Sequence, residues 1–186
     1  MLIRILSFLL ETIFFLLIGA SLLRAWMNWT RVNMRGQPGI FVMAITDWIV
    51  KPLRRTLPAS LGKSQIDWAS VIAALVLALA YGLLWSLLFG ALLGVSMDFG
   101  VSVLLGVLVF AVKMLVRVAL QTMMILVIGF AILSWVQPGS PAYVLLGRLT
   151  EPLLAPLRRI VPSIGGVDLS ALVLILILQI CLMVLA

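Results

Sequence analysis

The chain has 186 residues, 65% of them hydrophobic and 10% charged, with a mean hydropathy of +1.30. A soluble domain carries about 25% charged residues, so this surface is made for lipid. The net charge of +7 comes with no helix-turn-helix, zinc-finger or aromatic-basic RNA signature, so direct nucleic-acid binding is not expected; Lys and Arg mark cytoplasmic loops and attract anionic headgroups.

Histidine is absent and Cys181 is the only cysteine. Ser-His-Asp and Cys-His catalysis, an intrachain disulfide and a thiolate metal cage are thereby excluded. No cofactor is implied. Cys181 lies in the last apolar run and is expected to pack.

In chain order, residues 2–23 are apolar apart from Arg4 and Glu11, which suits one spanning helix of about 20 residues. A cleaved signal peptide is disfavoured, since Glu11 interrupts the run and no small-x-small site follows. Glu11 either faces a partner at membrane depth or is solvated near an interface.

Residues 24–67 form a basic segment with four tryptophans at or near it: Trp26, Trp29, Trp48 and Trp68. Tryptophan favours the headgroup level. Residues 40–50 are apolar but too short to span, which predicts an interfacial helix. Pro52 is expected to end it, because the residue before proline leaves the helical region.

Residues 69–94 carry no charge and predict a second span. Gly90 and Gly94 make a small-xxx-small step, a weak signal for helix contact. Residues 101–136 are broken only by Lys113, Arg117 and Gln121. Their length exceeds one crossing of a ~30 Å core, so the span is placed at about 114–136. The stretch before Lys113 is left as interfacial, as part of a long helix, or as an extra crossing. Residues 137–167 are a second basic segment, with a short apolar piece at 143–149. Residues 169–186 are the last span.

The polar segments repeat one another. Thr46-Asp47, Pro52-Leu53-Arg54-Arg55 and Pro58 recur as Thr150-Glu151, Pro156-Leu157-Arg158-Arg159 and Pro162. Gln-Pro-Gly precedes both copies (Gln37–Gly39, Gln137–Gly139), and Asp67 and Asp168 follow them as expected helix caps. Arg4 and Trp26 match Lys113 and Trp135. An internal duplication follows.

The expected architecture is an all-α membrane protein of four transmembrane helices in two tandem repeats, residues 1–97 and 98–186. Each repeat is helix, basic amphipathic loop, helix, with spans at about 2–25 and 69–94, then 114–136 and 169–186. Four crossings put both basic loops on one side, and the positive-inside rule makes that side cytoplasmic. Five crossings would put the second loop outside.

The motif has a physical reading. Pro52 and Pro156 are expected to stop the helices before them, Pro58 and Pro162 fix the far ends of the stiff loops that follow, and arginine forks suit phosphate or carboxylate. The acids Asp47 and Glu151 offer partners within a copy or across copies. The arginines either anchor topology on anionic lipid or also recognise a partner.

Ile132–Pro141, with Leu153-Leu154-Ala155-Pro156-Leu157-Arg158-Arg159 and Gly165-Gly166-Val167-Asp168-Leu169-Ser170, resembles the YggT family, called YlmG in plastids and cyanobacteria. The first half looks like a divergent copy. It keeps Pro52-Leu53-Arg54-Arg55, has Trp48 where the second half has Pro152, and is longer before Asp67. The resemblance covers the chain and implies a bacterial inner-membrane protein linked to osmotic tolerance, cell division or nucleoid organisation, and in plastids to cytochrome maturation. It implies no catalytic activity. The lack of histidine opposes haem ligation by imidazole.

The expected function is a non-enzymatic scaffold or assembly factor that offers both loops to anionic lipid or to a membrane or cytoplasmic protein partner. Homo-oligomers are plausible. An ion-permeation or ion-regulating protein is the alternative, suggested by Glu11, Lys113 and Arg117 near membrane depth.

Overall fold

The computed structural model describes residues 1–34, 36–57, 66–93, 101–161 and 169–185. All regular structure there is helical: α1 (Leu2–Trp29), α2 (Gly39–Thr56), α3 (Trp68–Leu93), α4 (Val101–Val136), α5 (Pro141–Arg158) and α6 (Leu169–Leu185). Three of these are long and apolar enough to cross a membrane, over Arg4–Trp29, Trp68–Leu88 and Val103–Val136. α6 is equally apolar but has 17 residues, about 25 Å at 1.5 Å per residue.

The helices pack in two successive units. α1, α2 and α3 touch one another pairwise, as do α4, α5 and α6, and α4 also packs on α3 and α1. Phe14, Tyr81 and Phe110 meet at one level, and Gly19 faces Val118 and Thr122 at another. α1 and α4 therefore run in the same direction, with α3 reversed between them. Ile18, Ala74, Leu77, Ala78, Ala111 and Val118 form a buried apolar layer where these three helices meet. Val127, Phe130, Leu154, Ala171, Leu174 and Leu178 do the same for the second unit.

The outward faces stay apolar. Ile5, Phe8, Ile13, Leu104, Val109, Leu172 and Ile180 are all exposed, which only a lipid solvent makes favourable. Cys181 is among the outward residues, so it faces that solvent and does not pack internally as expected.

Two expectations about helix ends are corrected. α2 does not stop at Pro52 but runs on to Thr56, and α5 passes through both Pro152 and Pro156. A proline inside a helix frees the carbonyl four residues back. Those carbonyls belong to Trp48, Arg148 and Pro152, all at exposed positions, where water or headgroups can satisfy them. α4 is continuous across Lys113, so the stretch before that lysine is part of one long helix. It is 36 residues long, about 54 Å.

α2 buries Gly39, Val42, Thr46 and Val50 at three- and four-residue spacing and exposes Phe41, Trp48, Arg54 and Arg55. α5 buries Leu149, Thr150 and Leu154 and exposes Val144, Arg148, Glu151 and Arg158. Gly139, at φ 92°, adopts the left-handed region just before α5. Ser140 then caps the helix by accepting the Tyr143 N–H at 3.1 Å.

Candidate functional site: an ionic cluster under the first basic helix

Arg24 lies five residues before the end of α1, and its side chain is only 6% exposed. A buried guanidinium needs partners. Nη1 donates to Thr46 Oγ1 and to Asp47 Oδ1, each at 2.8 Å, and Nε lies 3.9 Å from Asp67 Oδ2. Thr46 donates its own proton to the Val42 carbonyl at 2.7 Å, which leaves the hydroxyl oxygen free to accept from Arg24.

Both acids hold further groups. Asp47 Oδ2 takes Lys51 Nζ at 2.7 Å, one turn along α2. Asp67 Oδ2 takes Arg54 at 2.6 Å and the Ser70 hydroxyl at 2.9 Å, and its side chain is 8% exposed. The cluster thus joins α1, α2 and the start of α3. Asp67 has the cap position ahead of α3, where its carbonyl accepts the Ser70 and Val71 N–H groups, while its carboxylate serves the cations.

The Lys51 hydrogen bond holds the Asp47 carboxyl below the usual carboxylate range, with Arg24 adding to the effect and burial opposing it. A depressed folded-state pKa contributes stability above the ordinary carboxylate pKa and loses it as pH falls toward the folded value. The thermal midpoint in detergent should therefore fall as pH drops below about 4. Asp47→Asn should lower the midpoint at neutral pH and reduce that slope. An unchanged slope in the variant would remove Asp47 from this account.

The described residues of the second unit repeat one of these contacts and add another. Thr150 bonds back to the Leu146 carbonyl at 2.8 Å, as Thr46 does to Val42. Arg158, however, turns back along α5 to Glu151 at 2.7 Å, with its guanidinium 5.9 Å from the Phe130 ring centre. The two units are tied by Trp26, whose Nε1–H donates to the Leu149 carbonyl at 2.9 Å.

The first arginine of each Pro-Leu-Arg-Arg is therefore paired inside the chain. The second ones, Arg55 and Arg159, are exposed and have no ion pair among the described residues. Pro52 and Pro156 sit on the exposed sides of α2 and α5. Pro58, Pro162 and Asp168 lie outside the described residues. No group of three or more acids, cysteines or histidines that could hold a metal occurs among the described residues.

The CCB3/YggT family model matches residues 3–88 and 109–186. The chain belongs to the CCB3/YggT family. A Vibrio alginolyticus protein described as an uncharacterized protein in the proC 3′ region is 37% identical over 175 residues, 93% of this chain and 89% of that protein. The uncharacterized protein YggT of Escherichia coli K12 is 34% identical over 179 residues, 94% of this chain and 86% of its own. An uncharacterized Pseudomonas aeruginosa protein is 34% identical over 166 residues, 88% of this chain and 79% of its own. No solved structure matches.

Both family-matched blocks contain the repeated motif, and the first also contains Arg24. In the sequence Arg24 is one cation among several of the basic segment 24–67. The repeat carried a signal that sets it apart: aligning Trp26 with Trp135 puts Arg24 opposite Leu133, so the first half alone places a cation at this depth. Lys51 and Ser70 were legible only as neighbours of the acids that they serve.

Proposed function

We propose that this YggT-family protein is a non-enzymatic scaffold of the bacterial inner membrane. It crosses four times, through α1, α3, α4 and α6, as two tandem repeats. α2 and α5 lie along the cytoplasmic interface, where Arg55 and Arg159 are offered to a protein partner, with anionic lipid filling the remaining basic surface. What carries this reading is the split within each arginine pair: one member is paired internally, while the other is exposed and has no ion pair among the described residues. The matched blocks, 3–88 and 109–186, fit two repeats. The ion-permeation alternative is weakened by the buried apolar layer of Ile18, Ala74 and Leu77 across the first unit.

Two measurements test it. Cysteines at Thr56 and Ile160, in a Cys181→Ser background, should both resist an impermeant thiol reagent until cells are permeabilised. Labelling of position 160 alone in intact cells would mean five crossings and would favour transport. Arg55→Gln with Arg159→Gln should then reduce a discrete protein cross-link from positions 56 and 160 by at least about fivefold, roughly 1 kcal/mol, at unchanged membrane level. Equal cross-linking in the variant, or none in the parent, would leave these arginines as topology anchors.

A further inference from the structure

α1, α3 and α4, with Leu185 at the end of α6, leave a cleft of about 650 Å³ on the membrane-spanning part of the bundle. Glu11, Lys113, Arg117 and Gln121 line its polar side, and Phe8 and Phe110 contribute apolar wall. Lys113, Arg117 and Gln121 follow at four-residue spacing, so one stripe of α4 faces Glu11 of α1. Among the described residues none of these three charges has an opposite charge within 4.0 Å.

Glu11 is thirteen residues from Arg24 along α1, about 20 Å. Measured from the ionic cluster, the cleft therefore lies about two-thirds of the way across a ~30 Å core. Charges at that depth are costly unless something answers them. Snorkelling answers Lys113 and Arg117 singly, but it gives no reason for a carboxylate from another helix to share their cleft.

We propose that this cleft binds a phosphatidylglycerol molecule of the leaflet opposite the ionic cluster. Two cations and one carboxylate leave a single positive charge, which matches the single negative charge of that lipid. The phosphodiester lies between Lys113 and Arg117, since ammonium and guanidinium groups both suit phosphate oxygens. A glycerol hydroxyl donates to Glu11. An acyl chain follows Phe8 and Phe110. The cleft volume falls within the ~300–1,000 Å³ of ordinary ligand sites.

The test uses the full chain in mixed detergent micelles, with native mass spectrometry to count retained lipid. Probes are phosphatidylglycerol, phosphatidylcholine of the same chains, the matching free fatty acid and inorganic phosphate. One phosphatidylglycerol should be retained at least about fivefold better than each other probe. Lys113→Gln with Arg117→Gln should abolish that preference, while Arg55→Gln with Arg159→Gln should keep it.

Equal retention of phosphatidylcholine would overturn the site, as would full retention in the Lys113/Arg117 variant or equal loss in the Arg55/Arg159 variant. Preferred binding of phosphate or fatty acid would overturn the assignment to a phospholipid. If the double glutamine variant fails to insert, Lys113→Arg with Arg117→Lys keeps both charges and must keep the preference. Failure of that exchange in a folded protein overturns the site equally.

Discussion

Arg24→Ala is expected to destabilise the protein by about 3 kcal/mol, the low end of the cost of breaking a buried ion pair from one side. The low end applies because each acid keeps a second cation, Lys51 for Asp47 and Arg54 for Asp67. What is lost is the link between α1 and the other two helices. Arg24→Lys should recover only part of it, since one ammonium cannot reproduce a guanidinium that turns Nη1 to Asp47 and Nε toward Asp67. Unfolding in mild detergent, followed by tryptophan fluorescence, reads this directly. An unchanged midpoint in Arg24→Ala would mean that the cluster does not hold the first unit together.

The second large effect is expected at Gly39. A Cβ there would stand 2.6–2.8 Å from the carbonyl oxygen, Cα and carbonyl carbon of Met34. Backbone cannot rotate away as a side chain can, so the connection between α1 and α2 must shift. Met34 and Val32 of that connection pack with Met27, Val42 and Leu149, so the shift disturbs the junction of both units. Gly39→Ala should cost about 1–3 kcal/mol, as overpacking does. Gly36→Ala is the control, since nothing lies within 4 Å of its Cβ position, and it should change stability by less than about 0.5 kcal/mol. Equal effects at the two glycines would refute the close approach.

The long apolar helices were legible because lipid leaves a coarse signal: some twenty residues without charge. α2 and α5 were legible as interfacial pieces, but their ends were not. The proline rule assumes that a freed carbonyl goes unsatisfied, and whether Trp48, Arg148 and Pro152 face outward depends on how the helices dock. The acids and arginines of the motif stood out because they repeat. Their partners did not, because Arg24 to Asp47 and Arg54 to Asp67 are contacts between helices. Of the acid–arginine pairs among the described residues, Glu151 with Arg158, seven residues along α5, lies within a single copy's helix, where a pairing was among the options drawn from spacing.

The ionic cluster has a mechanical meaning. α2 is fastened by charged contacts to the helix before it and to the start of the helix after it, so a pull on its outer face is carried straight into α1 and α3. α5 packs on α4 and α6 and is joined to the first unit through the Trp26 indole. A load at Arg55 is therefore shared by three helices, and the indole passes part of it on to the second copy of the duplicated frame.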